Sequence, residues 1–368
     1  MNVRFAHVIG WMEGGFGMSN RITVQDIADA LGLSRNTVSK ALNNSDGIAE
    51  ETRSRVLNKA IEMGYKQFAY ASGLLEQRGL EPFAPVAPGK PNEISLLTRS
   101  TWDERHFAAL MLDAFEREIS QLGFVLRTYH IEDKKAERLE LPEAFDPSRT
   151  AAIMCIEMFD FAYDQMVCGL GFPVLFIDSP ARLGDHILPA DLLLMDNTTA
   201  LQHIVNVLVS DGVRRVGFIG DCLHCQSFAE RYATVAYVMN LADLAFDRRY
   251  YLGYNDQEDI AAGLGSMTER DDLPELFVCA NDFVAIGALQ ALRALGKRVP
   301  DDVMLVGFDD APESRTCVPP LTTVHIHTQV MAYSAAQLIM TRLKEPSLDF
   351  RQVHTQTDLI VRASTARR

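Results

Sequence analysis

A chain of 368 residues that is 48% hydrophobic can bury a large core, and its length suggests roughly two to three domains. No apolar run approaches membrane-spanning length, and the first residues lack the continuous apolar segment and small-residue cleavage site of a secretion signal, so the chain reads as cytoplasmic, with no membrane partner. The net charge of −14 is unevenly spread, with nine Lys/Arg and eight Asp/Glu in residues 1–79 against 26 and 41 in the remainder, so any nucleic-acid contact must be gathered on one small module.

The first patterned stretch, residues 23–43, predicts two short helices joined at a tight corner. Thr23 is placed to cap the first helix, and Asp26 favours its exposed amides. Ile27, Ala28 and Leu31 share a face, Gly32 stops the helix as a left-handed residue does, and Leu33 packs across the corner. Ser34 caps the second helix, whose Val38, Ala41 and Leu42 face inward. This is the spacing of a helix-turn-helix, and a plain helical hairpin with ordinary polar residues outside is the alternative. Arg35, Asn36, Thr37 and Lys40 lie outward near the start of the second helix. Arginine and lysine suit guanine edges in a major groove and asparagine suits adenine. A third helix is expected over 50–63, with Val56, Leu57, Ala60 and Ile61 packing on the pair and Arg53, Arg55 and Lys59 outward toward phosphates or solvent.

Ser34-Arg35-Asn36-Thr37-Val38-Ser39-Lys40-Ala41-Leu42-Asn43, then Glu51-Thr52-Arg53 and Met63-Gly64-Tyr65, resemble in order and spacing the LacI/GalR family of bacterial repressors. The resemblance implies base contacts by Arg35, Asn36 and Lys40. The candidate DNA-contacting set is Thr23, Ser34, Arg35, Asn36, Thr37, Ser39, Lys40 and Leu74. Leu74 enters through the family's hinge helix, which pushes a leucine into the minor groove. The usual Pro-Asn that opens that hinge is here Gln67 and Phe68, only Ala71 and Leu74 survive of the rest, and Gly73 weakens any helix, so a plain linker leucine is the alternative. Residues 1–17 have no place in the family pattern. Glu13-Gly14-Gly15 ahead of Met18 is encoded by purine-rich codons, as a ribosome-binding site is, and the expectation is that translation starts at Met18, leaving 1–20 as an extension.

Prolines at 82, 85, 88 and 91 recur at the three-residue period of polyproline II and predict a semi-rigid spacer, closing a hinge and linker over 67–91. From 92 onward apolar runs alternate with amphipathic stretches. Strands are expected at 94–97, 124–129, 151–156, 174–177, 216–219, 276–279 and 303–308, and helices at 104–122, 199–210, 282–295 and 329–343. Repeated βαβ units imply parallel sheets covered on both faces, with ligands at the C-terminal strand ends.

Cys279-Ala280-Asn281-Asp282, the stretch Val299-Pro300-Asp301-Asp302 through Gly307-Phe308-Asp309-Asp310, and Pro319-Pro320-Leu321-Thr322-Thr323 resemble the effector domain of the same family, built like a periplasmic sugar-binding protein. The fold class implied is an all-α helix-turn-helix domain over 21–66 joined to a two-lobed periplasmic-binding-protein-like α/β domain over 92–368. Lobe 1 is expected to take 92–195 and 325–350, and lobe 2 to take 196–324 and 351–368.

By that resemblance Arg231, Asn281 and Asp309 hydrogen-bond an effector in the cleft. Arginine offers a fork of donors and the acid and amide accept from paired hydroxyls. The alternative for Asn281 and Asp309 is helix capping. Trp102 completes the candidate effector set, either stacking on a sugar face or anchoring a helix start, and Thr328 stands where some relatives carry an aromatic.

Cys222-Leu223-His224-Cys225 has metal-like or redox spacing but no second Cys/His pair at a matching distance. No Gly-x-Ser-x-Gly, His-Glu-x-x-His or phosphate-loop pattern appears. The expectation is a transcriptional repressor and not an enzyme, without cofactor or metal, whose partners are a pseudo-palindromic double-stranded operator, a second copy of itself and a small carbohydrate effector. A cytoplasmic sugar-binding protein without regulatory output is the second reading, and a cleft enzyme the third.

Overall fold

The computed structural model describes residues 24–42, 48–62, 83, 85–100, 107–181 and 187–366. The expectations resting on Thr23, Leu74, Trp102, Gln67, Phe68 and a start at Met18 lie outside the described residues. The chain divides into two compact units, Met1–Pro82 and Phe83–Arg368.

In the first unit α1 (Val24–Leu31), α2 (Arg35–Leu42) and α3 (Glu50–Glu62) enclose a small core of Ile27, Ala28, Val38, Ala41, Val56 and Ala60. The corner is chemically specified. Gly32 sits at φ 63°, and the Leu33 amide donates to Ala28 O at 2.9 Å, six-to-one bonding that ends a helix through a left-handed residue. Ser34 Oγ then accepts from the Thr37 amide at 3.0 Å, starting α2.

The second unit carries two parallel sheets. The first contains β1 (Glu93–Thr98), β2 (Val125–His130), β3 (Thr150–Ile156), β4 (Val174–Ile177), β5 (Asp191–Met195) and β11 (Gln352–Thr355), in the order 2-1-3-4-5-11. Helices α4 (Phe107–Ser120) and α12 (Thr328–Lys344) cover one face, and α5 (Asp133–Glu137) and α6 (Phe161–Cys168) lie against the other. The second sheet has β6 (Val216–Ile219), β7 (Tyr251–Leu252), β8 (Leu276–Cys279) and β9 (Met304–Val306), in the order 7-6-8-9. On one side stand α7 (Thr199–Ser210) and α8 (Gln226–Leu241), on the other α9 (Gln257–Glu269) and α10 (Asp282–Ala294), while α11 (Pro312–Thr316) follows the loop after β9. The antiparallel pair β10 (Thr323–Ile326) and β12 (Thr357–Ile360) joins the lobes. One hydrophobic cluster runs through both lobes, from Ile94 and Met111 to Leu201, Phe218 and Val306. No described helix is long and apolar enough to cross a membrane.

The third crossing between lobes, expected in the 350s, falls after Thr355, because Gln352–Thr355 hydrogen-bonds along β5 with Thr355 opposite Met195. The Pro-rich spacer is interrupted by a turn at 87–90, where Gly89 takes φ 79° and the Lys90 amide donates to Ala87 O. Val86 moreover donates its amide to Leu122 O, and Phe83 and Val86 pack on the effector-domain core, so this end of the segment belongs to the domain that follows.

Candidate functional site

On α2, Arg35, Asn36 and Lys40 are exposed, while Thr37 and Ser39 are half-buried. Their placement follows from the corner: Val38 and Ala41 are drawn into the core, which turns the intervening polar side chains outward. Ser34 and Thr37 are hydroxyl-to-hydroxyl at 2.8 Å, so both are tied into the cap.

Both sheets reverse strand order beside their first strand, at β1/β3 and at β6/β8. In such sheets ligands bind outside the carboxyl ends of the strands at the switch point. Arg231, on α8, reaches that point in the second lobe with a side chain 3% exposed. Its Nε donates to Asn197 Oδ1 at 2.9 Å and its Nη1 to the carbonyl of Ala280, just past β8, at 2.6 Å. Nη1 lies 3.9 Å from Asp309 Oδ1, and the guanidinium stacks 3.5 Å from the Phe308 ring centroid. Burial holds the Arg231 guanidinium below its usual pKa, and Asp309, first among its anionic neighbours, offsets part of that.

Asp309 occupies φ 113°, a conformation rare outside glycine, and its amide is held on Val324 O at 2.8 Å. The next residue, Asp310, is the anchor of that loop. Burial pushes its carboxyl up, but His325, Arg315 and Arg362 outweigh burial and hold it below the usual carboxylate range. The sequence expectation thus brings Arg231 and Asp309 together. Asn281 shows the capping geometry, with Oδ1 accepting from the Val284 amide at 2.9 Å at the start of α10.

Three polar residues at this site escaped sequence reasoning. Asn197, on the first crossing, is buried against α8, where its Oδ1 accepts from Arg231 Nε and its amide donates to Ser227 Oγ and Glu230 Oε2. Asp178 follows β4 as Asp309 follows β9, the last strand of the other sheet in chain order, and that shared strand-end acid was the available signal. Its Oδ1 accepts from the Ser227 amide at 3.2 Å, so a carboxylate of one lobe caps the helix of the other. Burial pushes its carboxyl up, against hydrogen bonds from Ser179, Ser227 and Cys225. Ser227 completes the group, and Phe159 meets His224 edge-on across the lobes at 5.0 Å.

The cysteine pair is taken up structurally. Cys225 is the buried residue ahead of α8, and Cys222 receives the Tyr251 hydroxyl on its sulfur at 3.2 Å. Among the described residues no group of three or more His, Cys, Asp or Glu is placed to hold a metal.

Comparison with known proteins joins these modules. The profile "Bacterial regulatory proteins, lacI family" matches residues 23–67, and that of the "Periplasmic binding protein-like domain" matches residues 205–365. The chain is 28% identical over 356 residues to the HTH-type transcriptional regulator GalR of Lacticaseibacillus casei, covering 93% of this chain and 99% of that protein. It is 26% identical to the probable HTH-type transcriptional repressor ExuR of Bacillus subtilis, covering 94% and 99%. Among solved structures, the transcriptional regulator CelR–cellobiose complex superposes with a TM-score of 0.65 at 23% identity, covering 94% of this chain and all of that one. The lac repressor dimer bound to operator and the anti-inducer ONPF gives 0.61 at 19%, covering 94% and 99%. A helix-turn-helix followed by a two-lobed α/β ligand domain defines a DNA-binding transcriptional regulator, not an enzyme. The chain belongs to the LacI/GalR family of bacterial transcriptional regulators.

Proposed function

We propose that this regulator is a repressor that acts in the cytoplasm as a homodimer, sets one α2 into each half of a pseudo-palindromic operator, and is released by a carbohydrate bound between the lobes. The observation that carries this reading is Arg231, a buried guanidinium delivered to the strand-order switch point and aligned by Asn197, the Ala280 carbonyl and Phe308. Its fork of donors beside Asp309 can pair with adjacent hydroxyls, the chemistry a sugar presents. The CelR–cellobiose likeness supports the fold, and the sugar class rests on this donor and acceptor set.

The division of labour is as follows. Arg35, Asn36 and Lys40 read bases, with Thr23, Ser34, Thr37, Ser39 and Leu74 as flanking contacts. Arg231 and Asp309 bind the effector, joined by Asn197 and Asp178, with Asn281 and Trp102 as further effector candidates. The effector acts by binding one arrangement of the lobes more tightly than the other, and shifts DNA affinity by no more than that difference.

The experiment is fluorescence anisotropy of the full chain on DNA from upstream of its own gene, with and without sugar pools. A tight, salt-dependent complex that one pool dissolves is expected. Arg231→Ala should keep operator binding and lose the response, and an unchanged dose response in that variant removes the residue from the site. A pool that strengthens the complex would reverse the sign from induction to corepression.

A further inference from the structure

Among the described residues of the cleft, a buried guanidinium and a helix N-terminus facing the other lobe are suited to anions, and both are already matched by carboxylates of the chain. Arg231 Nη1 stands 3.9 Å from Asp309 Oδ1, and Asp309, Asp178 and Glu230 all act on its charge. The N-terminus of α8, which would favour phosphate or carboxylate, is occupied from lobe 1: Asp178 Oδ1 accepts from Ser227, and Ser179 O accepts from the Gln226 amide at 2.8 Å. The N-terminus of α10 is likewise closed, by Asn281 Oδ1 on Val284 and by Phe308 O on the Asp282 amide. At the end of β1, Arg99 is paired with Asp133 at 2.5 Å.

From this balance we infer that the effector is an uncharged polyol, and that uronates and phosphorylated sugars are rejected. The inference rests on the carbohydrate reading above and narrows it. A hydroxyl can accept from Arg231 and donate to Asp309 or Asp178 in the same geometry. An added negative charge would instead meet acids at Arg231, at the N-terminus of α8 and at Arg99, with their counter-charge already spent, and buried like charges are strongly unfavourable.

The test is isothermal titration of the full-length chain with matched pairs: neutral aldoses and their methyl glycosides, the corresponding uronates, and the corresponding 6-phosphates. At least one neutral sugar should bind saturably, with its uronate and 6-phosphate weaker by roughly 100-fold or more. Asp309→Asn, which keeps the side-chain shape and removes the charge beside Arg231, should narrow that gap by at least about tenfold. Anions binding as tightly as their neutral partners overturns the inference, as does an unchanged gap in Asp309→Asn. Binding by an uncharged nucleobase titrated alongside, and by no sugar, overturns both the polyol inference and the carbohydrate reading. Saturable binding by neither charge class overturns both.

Discussion

At the scale of single residues, Asp164 on α6 is the most exacting test of the structure. It is fully buried, neither carboxyl oxygen has a hydrogen-bond partner, and burial, with Asp160 adding to it, pushes its pKa from 3.8 up to about 9. The folded state therefore holds a proton that the unfolded chain releases above about pH 4. Stability from this group is fully present below that value and is lost as pH rises through about 9, at up to about 1.4 kcal/mol per pH unit. Asp164→Asn should flatten the decline of Tm between pH 5 and pH 9, and an unaltered slope would show that Asp164 is ionised in the fold. On α2, Arg35→Ala or Asn36→Ala should relax preference at one base pair per half-site, at about 1–3 kcal/mol per lost bidentate contact. Uniform weakening across all sequences in a binding-site selection would instead make that residue a phosphate contact.

At the scale of elements, the helix corner and the long apolar strands were legible because their signals are local. Gly32, Leu33 and Ser34 act within a few residues, and runs such as Val174–Ile177, Val216–Ile219 and Leu276–Cys279 are buried along their whole length. The edge strand β11 and the joining strands β10 and β12 were not, since Thr323–Ile326, Gln352–Thr355 and Thr357–Ile360 mix polar and apolar residues and are strands only by pairing with distant segments. The same distance hides Asn197 and Asp178, whose partners on α8 lie 30 and 49 positions away. Gly32→Ala forces a side chain into φ 63° and should destabilise the first unit by about 1 kcal/mol. Gly220, just past β6, takes φ 135°, and a Cβ there would fall 2.3 Å from that of Ala280, the residue whose carbonyl aligns Arg231. Gly220→Ala should therefore weaken the effector response while operator binding persists, a separation that paired anisotropy titrations would read.

At the scale of the whole molecule, charge separates the two jobs. The helix-turn-helix end is nearly neutral and the remainder strongly acidic, so specific binding depends on a few cations against a repulsive background. Operator affinity should fall steeply between 50 and 200 mM salt, with a log–log slope set by the phosphates contacted per dimer. The continuous apolar cluster threading both lobes has a calorimetric consequence. Neither lobe can expose its share of that interior without stripping the other's, so the pair should melt as a single cooperative unit, with van't Hoff and calorimetric enthalpies equal across one endotherm. The three-helix unit, with its own small core of Ile27, Val38 and Val56, should melt separately and earlier.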